Sequence, residues 1–102
     1  MIDMNEILPM SRRKVFKNVL LERTNQDSKW GEQNHDPFTW LSILGEEVGE
    51  AHQAAVESKF KESNNHGQSI TLHDLRKELI QVAAVAISIC ESLDRNELNR
   101  SQ

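Results

Sequence analysis

Between positions 79 and 90 the chain is apolar on every side of a helix, with Gln81 and Ser88 the only polar residues in the run. At roughly 100° per residue, Leu72, Leu75, Leu79, Val82, Ala86, Ile89 and Leu93 form one continuous stripe. Ile80, Ala84 and Ile87 then occupy what should be the outer face. A helix that is apolar all round must be covered all round. The chain has 102 residues, enough for one domain only, and three helices from one copy cannot enclose such a rod. The pattern therefore predicts an all-α fold spanning 1–102 as a single domain. Its form is an antiparallel bundle of three main helices plus a short C-terminal segment, completed by homo-oligomerisation. The alanines at 83, 84 and 86 permit close helix approach.

Two polar breaks, residues 25–36 and 63–69, divide the chain into its helices. The first helix is expected over about 11–25, with Ser11 as its N-cap and Val15, Phe16, Val19 and Leu20 in helical register. The second starts at Asp36-Pro37, a cap followed by proline at the first helical position, and can run to about 62. The third starts at Thr71, where Thr71-x-x-Asp74 reads as a capping box, and ends near 94. The polar tail from 95 to 102 is expected to fray.

Composition narrows the functions. Twelve basic against sixteen acidic residues give a net charge of −4, the wrong sign for coating a nucleic-acid polymer. No run approaches the ~20 apolar residues of a membrane span, and the first residues lack a signal-peptide core. Cys90 is the sole cysteine, so no internal disulfide can form, and a reducing, cytoplasmic setting is expected. His52, His66 and His73 have no ligand spacing with Cys or another His, which argues against zinc.

The chemistry sits on the second helix. Leu41, Leu44, Val48, Ala51 and Ala55 make its main apolar stripe. Beside it runs a second strip, Trp40, Ile43, Glu47, Glu50 and Ala54. Glu47 and Glu50 thus interrupt an apolar strip and point the same way. Charges in such a strip need a partner. Glu78 borders the stripe of the third helix, and Gln81 lies one turn further on. Converging carboxylates repel, and a hard divalent cation resolves that repulsion; magnesium takes oxygen ligands and is commonly completed by substrate phosphates. Gly45 and Gly49 flank the cluster at a helix cost of roughly 1 kcal/mol each, which suggests close approach of a backbone or ligand.

Glu46-Glu47-x-x-Glu50, followed on the next helix by Glu78-Leu-Ile-Gln81, resembles the EExxE…ExxD pattern of the MazG-like all-α nucleoside triphosphate pyrophosphohydrolases. Lys29-Trp30-Gly31-Glu32-Gln33-Asn34-His35, just upstream, is also similar to that family, and the resemblance covers about 25–94. It implies hydrolysis of the α–β phosphoanhydride of a nucleoside triphosphate to monophosphate and pyrophosphate, with magnesium or manganese, in homodimers or homotetramers. Carried over by position, Glu47, Glu50 and Glu78 would bind metal, and Glu46 would be an accessory carboxylate, a ligand or the group that orients water. The family's last Asp falls on Gln81, a ligand without charge, unless Asp74 compensates. The alternative is therefore a catalytically weak or inactive nucleotide- or metal-binding helical oligomer. Lys29, Lys59, Arg76 and Lys77 are candidates for phosphate contacts. Trp30 or Trp40 could stack on a base, and Gln33, Asn34 or His35 could read its edge.

Overall fold

The computed structural model describes residues 3, 8–60 and 71–98. Among them are three α-helices and no strand: α1 (Met10–Trp30), α2 (Pro37–Lys59) and α3 (Leu72–Leu93). A π-helical turn, Asp94–Leu98, follows α3 directly. No helix is long and apolar enough to cross a membrane.

Two of the three expected starts hold. The Asp36 carboxylate accepts hydrogen bonds from the Phe38 and Thr39 amides at 3.0 and 3.1 Å, with Pro37 opening α2. Thr71 and Asp74 form the reciprocal capping box, the Thr71 amide donating to Asp74 at 2.8 Å and the Asp74 amide donating to Thr71 Oγ1 at 3.3 Å. Ser11 is not a cap. The helix begins one residue earlier, and Pro9 stands at the N-cap position with its carbonyl accepting from the Arg12 and Arg13 amides.

The first polar break also starts later than expected. Residues 25–30 stay helical because polarity does not end a helix, whereas a residue at positive φ does. Gly31, at φ 71°, closes α1 with its amide donating to the Asp27 carbonyl at 2.8 Å. The Arg23–Asp27 ion pair, at 2.9 Å and one turn apart, spans this stretch. The helix α2 ends at Lys59 rather than 62, and the expected loop 63–69 lies outside the described residues. Of the tail, residues 95–98 are described and do not simply fray, and 99–102 lie outside the described residues. Arg95 and Asn96, in the π-helical turn, are hydrogen-bonded to residues 33 and 34.

The inward faces include part of the expected stripes and extend beyond them. The buried cluster is Trp40, Val85 and Ile89, with Ile43, Leu44 and Leu93 packed against it. On α2 both strips contribute inward residues, Trp40, Ile43 and Ala54 from the one interrupted by glutamates and Leu44 and Ala51 from the main stripe, while Leu41 and Val48 remain 58% and 48% exposed. On α3, Leu72 and Leu79 are 70% and 52% exposed, whereas Ala84, expected outside, is fully buried. The reason is the position of α1. It lies along the side of α3 that carries Ala84, tied there by Arg23 to Glu91 at 2.8 Å and by Arg76 to Asn18 at 2.8 Å. A bare methyl on that side allows the helices to approach closely.

Candidate metal centre

The strip of α2 that faces the bundle brings Glu47 and Glu50, one turn apart, opposite Glu78 on α3. One oxygen from each of the three carboxylates lies within 4.8 Å of the others. Glu50 is exposed, and Glu47 and Glu78 are half-buried. Oε2 of Glu47 and Oε2 of Glu78 are buried with no hydrogen-bond partner. Orphaned buried acceptors are uncommon in folded proteins, and each calls for an explanation. The donor set is oxygen only, which suits a hard divalent cation better than zinc. Clusters of exposed acidic groups are also common without any ion.

The electrostatics follow from the crowding. Burial pushes the Glu47 carboxyl above its usual range, and the negative charges of Glu50, Glu78, Glu22 and Glu46 push it the same way. Burial likewise raises Glu78, aided by the charge of Glu50 and by a hydrogen bond with the Glu50 carboxyl that favours the protonated form. Lys77 opposes that rise. Proton uptake and cation binding are alternative remedies for the same repulsion.

Glu47 and Gln81 open onto a cleft of about 410 Å³, whose other lining residues, Glu22, Asn25, Gln26, Lys29 and Trp30, all come from α1. Lys29 holds its ammonium 4.9 Å from the centroid of the Trp30 ring, and Trp30 is 53% exposed. So Lys29, Trp30, Glu47 and Gln81, separated by up to 52 positions, meet in one concavity. Glu46 is exposed, outside that lining.

The other candidates lie elsewhere. Gln33 lines a smaller cleft of about 180 Å³ between α1 and α3. The His35 ring meets the Trp40 ring edge-on, centroids 4.8 Å apart. Lys77 is exposed and lines neither cleft. Trp40 is 1% exposed, and its indole N–H donates to Ser92 Oγ at 3.0 Å, so it is a core residue and cannot stack on a base. Arg76 is bonded to Asn18, and the Lys59 ammonium sits over the Phe60 ring. Asp74 does not compensate for Gln81, because its carboxylate is committed to the Thr71 cap. A Cβ placed on Gly45 or Gly49 meets nothing within 4 Å, so among the described residues no other backbone approaches them.

Sequence reasoning missed the contribution of α1. Glu22 faces the cluster closely enough to raise Glu47, and it accepts a hydrogen bond from Gln26, itself only 8% exposed. The available signal was the spacing Glu22, Gln26, Lys29, which places one face of α1 in register with Trp30. No protein-family model, curated protein or solved structure matches this chain.

Proposed function

We propose that the chain is a MazG-like, magnesium-dependent nucleoside triphosphate pyrophosphohydrolase that cleaves the α–β phosphoanhydride. The observation that carries this reading is the convergence of Glu47, Glu50 and Glu78 oxygens within 4.8 Å, two of the carboxylates holding an unpartnered buried oxygen. Glu47, Glu50 and Glu78 would hold the cation, with the Gln81 amide oxygen beside them. A bound magnesium would neutralise phosphate charge and lower the pKa of a water. The chain's own residues supply the rest: Lys29 attracts phosphate oxygens at the cleft, Trp30 offers a face for a base, and the exposed Glu46, next to Glu47 in sequence, would orient water. Lys77 adds positive charge beside Glu78.

The test is to incubate the purified chain and magnesium with a panel of ribo- and deoxyribonucleoside triphosphates and measure products. The expected result is monophosphate and pyrophosphate in equal amounts from at least one substrate, reduced roughly 100-fold or more in Glu47→Gln. Folded protein that releases no pyrophosphate from any nucleotide would overturn it. A second reading is favoured by Gln81, which lines the cleft beside Glu47 without a charge: a nucleotide sensor that binds without turnover. Calorimetric binding of a triphosphate with no product selects that reading.

The active form in this proposal is a cytoplasmic homodimer or homotetramer. Among the described residues seven apolar side chains are buried, while fifteen large ones are exposed, including Phe38, Leu41 and Val48 on α2 and Leu72 and Leu79 on α3. Monomers rarely leave so much apolar surface uncovered. Light scattering should give a mass at least twice that of the chain, and Leu79→Glu should lower it.

A further inference from the structure

Residues 31–36 connect α1 to α2 without any backbone-to-backbone hydrogen bond at positions 32–35. One end is Gly31, at φ 71°; the other is the Asp36-Pro37 helix start. What holds the segment down is a set of side-chain bonds centred on Asn34. Its Oδ1 accepts from Arg95 Nη2 at 3.0 Å, from Arg95 Nε at 3.3 Å and from Asn96 Nδ2 at 2.8 Å. Arg95 Nη2 also donates to the Gln33 carbonyl at 3.1 Å, and Asn34 Nδ2 donates to Glu32 at 3.1 Å. Asn96 continues to Ser92 Oγ at 3.2 Å, the same oxygen that accepts from buried Trp40. A polar chain thus runs from the core indole to the surface through the π-helical turn, a local geometry often found at functional positions.

Two features make the closed position a balanced one. His35 Nε2 is buried with no hydrogen-bond partner while its ring rests on Trp40, so closing leaves one polar group unsatisfied. The bonds at Asn34 are exposed, where water competes for every donor. Glu32 and Gln33 of the segment line the cleft of about 180 Å³ together with Arg23, Asp27, Ser88, Glu91 and Arg95. Space adjoins the segment, the bonds that anchor it are exposed to water, and a glycine at positive φ stands at one end.

We propose that residues 31–36 are a hinged strap that opens as a unit about Gly31, with Asn34 as its latch, uncovering Trp40 and shifting Trp30 at the mouth of the larger cleft. Asn34 is a positioning residue in this scheme. Its effect on substrate rests on the function proposed above, but the opening itself does not.

The experiment uses the full chain with Trp30→Phe, which leaves Trp40 as the sole tryptophan of the two. Acrylamide quenching reports access to Trp40, and amide hydrogen exchange reports where protection is lost. Adding Asn34→Ala should raise the quenching constant about threefold or more while amide exchange at Val85 and Ile89 stays unchanged. Asn34→Asp keeps the oxygen that accepts from Arg95 and Asn96 but loses the bond to Glu32, and should open less than Asn34→Ala. Unchanged quenching in Asn34→Ala would overturn the proposal. So would equal loss of protection in α2 and α3, or opening of Asn34→Asp to the same extent. With the native Trp30 restored, Asn34→Ala should raise KM more than it lowers kcat. A chain with no turnover at all would refute the function and leave the quenching result standing.

Discussion

Replacing Glu47 by Gln should stabilise the cation-free protein, although it alters a half-buried side chain. Two unit charges 4.8 Å apart repel by about 0.9 kcal/mol at the dielectric of water and by about 3.5 kcal/mol at an effective dielectric of 20. Glu47 takes part in two such pairs, with Glu50 and Glu78. Glu50 is exposed, so solvent screening keeps its pair near the lower figure. Against this gain stands the cost of a buried amide with an unmatched hydrogen-bonding group, about 1 kcal/mol or more. The net effect is of order 1–2 kcal/mol, which for a domain of this size corresponds to a Tm increase of roughly 5–15 °C. The assay is thermal melting by circular dichroism in EDTA at pH 7.5 and low salt. Repeating it in 1 M NaCl should shrink the difference, since the screening length falls to about 3 Å. A lower Tm for Glu47→Gln than for the parent, or a difference indifferent to salt, would refute the reasoning that these carboxylates crowd one another.

The other outcomes follow from particular bonds and charges. Ser92→Ala removes the hydroxyl that accepts from the buried Trp40 N–H; the loss should be about 2 kcal/mol and a Tm drop of roughly 8–16 °C, and no drop would mean that the indole finds another partner. Because the folded-state Glu47 and Glu78 are raised, their contribution to stability is complete below the unfolded-state value and is lost as pH rises through the folded one. The lowered Asp36 and Asp74 act in the opposite sense, losing theirs as pH falls through their folded values. The cation-free Tm should therefore rise as pH is brought down through the raised values of these two glutamates and fall again in stronger acid, and a smaller rise in Glu47→Gln, where Glu78 alone keeps its raised value, would locate the effect. Gly49→Ala, with open space around the added methyl, should raise Tm by about 4–8 °C through helix propensity of up to about 1 kcal/mol; a fall would place another backbone or a ligand against α2.

Caps and charges were legible in the sequence because they depend on neighbours along the chain. Asp36-Pro37 and Thr71-x-x-Asp74 needed only local geometry, and both form as read. Glu47, Glu50 and Glu78 were legible as a cluster because two share a helical face and the third borders the facing stripe. The direction of burial was partly legible. Leu44 and Ala51 of the main row and Trp40, Ile43 and Ala54 of the mixed row turn inward, whereas periodicity gave no sign that Leu41 and Val48 stay exposed. Which residues turn inward depends on where α1 lies, and α1 is placed by Arg23–Glu91 and Arg76–Asn18, partners 68 and 58 positions apart. The same distance hid Glu22 from the site and Arg95 and Asn96 from the strap. A polar tail after an apolar helix reads as frayed until the loop that it anchors is known.

The most direct measurement is a calorimetric titration of manganese or magnesium into the parent chain and into Glu46→Gln, Glu47→Gln, Glu50→Gln and Glu78→Gln, all at matched ionic strength. Saturable binding in the parent, kept in Glu46→Gln and lost or weakened at least tenfold in the other three, is the expected result. Identical heats across all five proteins, no larger than those from added NaCl, would contradict the assignment of a cation to this cluster.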